Sequence, residues 1–104
     1  MKRTRSMIYN ETTESRELLL YATNDGELYR QMITPVINNL RRKASKGWYD
    51  SEKAVDAYYR IACEASKRYN RDFGYSFSVT DRFTAAVDME KFYRDDEVFY
   101  DIER

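Results

Sequence analysis

Leu28, Met32, Ile33, Val36, Ile37, Leu40 and Ala44 recur at spacings of three and four, with Arg30, Gln31, Asn38, Arg41 and Arg42 on the other faces. This pattern predicts a long amphipathic helix. Thr23, Asn24 and Asp25 supply caps in front of it, and Gly47 supplies a left-handed stop behind it. Pro35 falls inside the pattern, where its ring removes a backbone donor and crowds the carbonyl of Gln31. A kink, or a break into a short helix and a longer one, is expected there. Beyond Gly47, Trp48 and Tyr49 are expected to plug a corner. Asp50 then caps a second helix from about Ser51 to Arg71, carried by Ala54, Val55, Tyr58, Ile61, Ala62, Ala65 and Tyr69.

The remaining elements are shorter. A Thr cap followed by Glu14 predicts a helix from Thr12 or Thr13 to about Ala22. Gly74 ends the second long helix, and residues 75–79, "YSFSV", alternate like a strand but have no pairing partner, so they read as a loop. Ser78 or Thr80 caps a last helix whose apolar face comprises Phe83, Ala86, Val87, Met89, Phe92 and Tyr93. The end, "DDEVFYDIER", either extends that helix or turns back through Val98, Phe99, Tyr100 and Ile102. Residues 1–11 lack periodicity and read as a flexible or extended arm, leaving residues 12–104 as one helical domain. The expected fold is all-α, a bundle of three to four helices built on an antiparallel hairpin with its turn at Gly47. Its core should hold Leu28, Met32, Val36, Ile37, Leu40, Val55, Tyr58, Ile61, Ala62, Ala65, Phe83, Ala86 and Val87.

Composition narrows the functions this domain can serve. A chain of 104 residues supports one core. Eighteen cations balance eighteen carboxylates, so no global field holds the molecule on DNA or on an anionic membrane. The balance is local: ten basic residues face six acidic ones from Glu27 to Asp72, and four face eight from Phe73 to Arg104. No apolar run is long enough to cross a bilayer, and nothing reads as a signal peptide, so a cytoplasmic protein is expected. The single cysteine, Cys63, agrees with a reducing compartment.

The chain contains no histidine, which removes the commonest general base and metal ligand. Cys63 therefore lacks its usual activator and reads as a small packed thiol. Asp95, Asp96 and Glu97, with Glu90, Asp101 and Glu103 nearby, lack the glycine spacing of a calcium loop and read as a solvated helix end. No metal, cofactor or catalytic residue is assigned, and an enzyme is not expected. The run Arg41, Arg42, Lys43 and Lys46 stands in the last turn of a helix, where the negative end of the dipole favours cations. Joined by Lys67 and Arg68, it could also neutralise phosphates, although the helix that follows starts with the acidic "DSEKAVD".

The segments "NDGELYRQ", "PVINNLRRKASKGWYDSEKAVDAYY", "RYNRDFG" and "TDRFTAAVDM" resemble a family of small proteins encoded by bacteriophages, plasmids and other mobile elements. The resemblance rests on Leu28, Tyr29, Arg30, Pro35, Val36, Asn39, Leu40, Gly47, Tyr49, Asp50, Ala54, Phe73 and Gly74, and covers roughly residues 24–90. Val36 stands where the family has isoleucine. The N-terminal arm and the acidic tail lie outside the match. The resemblance implies an accessory gene more than a mechanism. Small mobile-element proteins without catalytic groups often block host defence complexes, as anti-CRISPR proteins do. The first expectation is therefore an inhibitor of a CRISPR-Cas type nucleic-acid-targeting complex in a bacterial host. Its contacts would be Asp95, Asp96, Glu97, Phe99 and Tyr100, and its partner a host protein or ribonucleoprotein. The alternative is a DNA- or RNA-binding accessory protein using Arg41, Arg42, Lys43, Lys46, Lys67 and Arg68. Oligomeric state is left open.

Overall fold

A computed structural model describes residues 12–99, so the arm at residues 1–11 and the tail from Tyr100 onward lie outside the described residues. Helix α1 spans Thr13–Asn24 and opens on a capping box. The Thr12 hydroxyl accepts from the Ser15 amide at 3.0 Å, and the Ser15 hydroxyl accepts from the Thr12 amide at 2.9 Å. Ser15 is thereby buried without an orphaned hydroxyl.

Helix α2 runs continuously over residues 26–45, as α-helical Gly26–Leu28, a π-helical turn at Tyr29–Ile33 and α-helical Thr34–Ser45. Pro35 neither breaks it nor leaves a gap. The turn ahead of the proline widens, with the Thr34 amide bonded to the Tyr29 carbonyl, and this makes room for a ring that would crowd a regular turn. At its far end the Trp48 amide bonds the Lys43 carbonyl at 2.8 Å and the Gly47 amide bonds the Ala44 carbonyl at 3.0 Å. Gly47 itself sits at φ 76°, so the helix closes in a Schellman motif.

Helix α3 spans Ser51–Phe73, capped by Asp50, whose carboxylate accepts from the Glu52 and Lys53 amides, and stopped by Gly74 at φ 71°. Its buried stripe, Ala54, Tyr58, Ile61, Ala62, Ala65 and Ser66, keeps the three-and-four spacing along the helix. Helix α4 spans Val79–Tyr93, opens on a capping box between Ser78 and Asp81, and continues into a π-helical turn at Arg94–Val98. Residues 74–78 form a loop, and no strand occurs among the described residues.

Helices α3 and α4 make the most extensive contact, α1 packs across both, and the second half of α2 packs on the π turn that follows α4. Buried alanines on α3 (Ala54, Ala62, Ala65) and on α4 (Ala85, Ala86) allow close approach. Leu18, Leu28, Ile33, Ile61, Met89 and Val98 fill the space around them. The all-α bundle is as expected, with four helices among the described residues. The arms joined at Gly47 contact one another little, because each directs its apolar stripe at other elements. Phe83 is a correction: expected in the core, it is 53% exposed. Helix α4 is apolar around most of its circumference, and it buries the side carrying Ala85, Ala86, Met89 and Tyr93 while turning Val79 and Phe83 outward. Met32, Val36, Val55 and Val87 are only half-buried. Phe77, in the loop, is buried instead.

Candidate functional site

The basic residues do not form one patch. Arg41 donates through Nε at 3.1 Å and through Nη2 to the backbone carbonyl of Glu97, so it holds the turn after α4. Arg42 bonds the Asn39 amide oxygen at 2.8 Å, and the Lys46 ammonium lies 5.2 Å from the centre of the Trp48 ring. Arg68 sits at the opposite end of α2. It pairs with Glu64 at 3.1 Å, Glu27 at 3.2 Å and Asp25 at 3.8 Å, and its side chain is only 16% exposed. Its neighbour Lys67 pairs with Glu64 at 3.6 Å. At 1.5 Å per residue, roughly 25 Å of helix separates Asp25 from the Arg41–Lys46 cluster. A chain that reverses at Gly47 brings the end of α3 back to the start of α2, so Lys67 and Arg68 do not join the corner.

The acidic segment is the π turn itself. Asp95 and Asp96 are exposed, whereas Glu97 is half-buried. Phe99 packs its ring 5.2 Å from that of Tyr49, with the planes inclined at 52°. Tyr100 lies outside the described residues. Tyr49 belongs to a buried polar group: its hydroxyl donates to Glu90 at 3.0 Å, and Arg94 approaches the same carboxylate oxygen at 3.4 Å. Burial, and then the Glu90 charge, raise the Tyr49 phenol well above its ordinary value of 10.0. Of the expected plug residues only Tyr49 acts as one. Trp48 is 65% exposed.

Trp48 stands at one end of a groove of about 670 Å³ between α2 and α3. Val36, Leu40 and Lys43 line it from one side, and Lys53, Asp56 and Arg60 from the other. The groove exists because the two helices spend their stripes elsewhere and diverge. An apolar strip, an exposed tryptophan and charges of both signs make a surface suited to a polypeptide. The local sequence carried one sign of it, a tryptophan placed directly after a glycine stop. Lys43 belongs to this groove and Arg41 to the acidic turn, so the basic run divides between two sides of one helix end.

Cys63 is half-buried. Among the described residues no helix is long and apolar enough to cross a membrane. No family model, curated protein or solved structure matches the chain.

Proposed function

We propose that the protein is a non-enzymatic binding protein of a mobile element, and that it inhibits a host nucleic-acid-targeting complex of the CRISPR-Cas type. The partner is a host protein or ribonucleoprotein met in the bacterial cytoplasm. The observation that carries the binding reading is the groove between α2 and α3. It presents the exposed Trp48 and, on its α3 side, Arg60, residue types that dominate the energy of protein contacts. The exposed Asp95 and Asp96, on a turn anchored to the same helix, add local negative charge suited to a basic nucleic-acid channel. A molecule with no net charge does this locally rather than as a whole-molecule mimic of DNA.

The test is relief of interference: a targeted plasmid is introduced into cells with an active CRISPR-Cas complex, with and without the protein. The proposal expects transformation to rise with the protein and to fall back with Trp48→Ala or with Asp95→Asn, Asp96→Asn. No relief across a panel of complex types would remove the inhibitor reading. Salt-sensitive binding to duplex DNA, lost when Arg42, Lys43 and Lys46 are neutralised, would replace it with the nucleic-acid reading. Arg41 stays outside that set because its change would also release the turn it holds.

A further inference from the structure

On the side where α1 meets the end of α3, Tyr69, Tyr75 and Phe77 stand in three nearly perpendicular planes. Tyr69 and Phe77 have centroids 5.0 Å apart at 71°, Tyr75 and Phe77 4.8 Å apart at 78°, and Tyr69 and Tyr75 6.4 Å apart at 78°. All three line one cavity of about 300 Å³, which Thr13, Glu14 and Glu17 of α1 complete. Phe77 is only 4% exposed and Tyr75 is 42% exposed, so the first is the floor and the second the rim.

We propose that this is a cage for an organic cation of the quaternary-ammonium type. The three rings pack edge to face and line one pocket in steeply inclined planes, so a cation seated there has aromatic walls on more than one side, and ring quadrupoles attract a cation over about 6 Å. Glu14 and Glu17 are exposed on the same face of α1, and among the described residues neither forms a salt bridge. They place two carboxylates beside the rings, which favours a cation over a neutral apolar group. A methylated ammonium sheds water readily and suits aromatic walls, whereas a hydrated metal ion does not.

The cage is built before any ligand arrives. The Tyr69 hydroxyl donates to Glu17 at 3.2 Å and fixes ring and carboxylate together. Arg82 donates to the Phe77 carbonyl at 2.8 Å, and Gly74 and Ser78 end the two flanking helices, so the short loop carrying Tyr75 and Phe77 is held at both ends. The negative potential is already felt locally: burial first, then Glu14 and Asp81, raise the Tyr75 phenol above its ordinary value. This site is separate from the groove and does not depend on the proposed inhibition.

The test uses the N-methyl proton resonance of choline, titrated against the full chain, with 3,3-dimethyl-1-butanol as the neutral isostere. The expected result is a saturable upfield ring-current shift for choline and none for the alcohol. Tyr75→Ala should weaken choline about tenfold and Glu17→Gln about threefold. Both residues are at the surface, and a circular dichroism melt confirms that each variant folds. A trimethyllysine peptide that binds more tightly than choline identifies a partner chain as the source of the cation. The reverse order identifies a free small molecule. Equal binding of choline and the alcohol, no saturable shift, or choline binding unchanged in both variants would overturn the proposal.

Discussion

Arg41 and Glu97 touch: the guanidinium grips the glutamate's backbone carbonyl. The basic run and the acidic turn, rival candidates in the sequence, are thus two halves of one joint. Arg41→Lys should therefore behave as a stability change, since a single ammonium cannot reproduce two donors from a planar fork. A loss of about 1–3 kcal/mol is expected, read as a fall in denaturation midpoint. Unchanged stability in Arg41→Ala would show that the joint carries no weight.

The half-buried Tyr49 and the buried Tyr58 make a matched pair. Tyr49→Phe strips Glu90, 3% exposed, of its hydroxyl donor and should cost about 1–3 kcal/mol in urea denaturation. Tyr58→Phe should cost far less or stabilise, because the Tyr58 hydroxyl is buried and finds no hydrogen-bond partner among the described residues. Equal losses from the two changes would contradict the assignment.

The same rings set the alkaline limit. Burial raises the phenols of Tyr49, Tyr58 and Tyr93 above 10.0 in the folded chain. Below that pH folded and unfolded states are equally protonated at these sites, and their contribution is fully present. Above it the unfolded chain loses protons that the folded chain keeps, so stability falls as pH rises. Urea midpoints measured in steps from neutral pH to about pH 11 should be lower at the alkaline end, with a smaller drop in Tyr58→Phe. At the acid end, hydrogen bonds from Arg68 to Glu64 and from Arg71 to Asp72 hold those carboxyls below their ordinary values. Their contribution is present above the ordinary range and is lost as pH falls through the lowered values.

Gly47 and Gly74 both hold left-handed backbone, and a Cβ at either would meet nothing within 4 Å. The penalty for alanine is therefore conformational, about 1–2 kcal/mol at each position. Asparagine should recover part of it. A thermal melt of Gly47→Ala, Gly47→Asn and wild type orders the three.

The legible parts of the fold were those written locally. Thr12, Asp50 and Ser78 cap where their side chains can reach the next amides, Gly47 and Gly74 stop helices, and the stripes of α2 and α3 are narrow enough to choose a face. Helix α4 is not, so spacing alone could not say that Ala85 and Met89 go in while Phe83 stays out. The groove was illegible for another reason: it is the gap left when two helices each prefer a third partner, and no single segment encodes that. The aromatic cage combines residues from α1, α3 and the loop. Pattern marked its rings only as ordinary apolar positions.

The wide turn at Tyr29–Ile33 has a consequence for chain length. It spends one residue more than an ordinary turn to complete the same rotation. Deleting a residue between this turn and Ile37 would swing the rest of α2 by about 100° and point Ile37 and Leu40 away from the core. Deleting one within this turn would close it to the regular width and leave both facing inward, but would press the Pro35 ring back on the preceding turn, so α2 should tolerate the loss only when Pro35 is replaced as well.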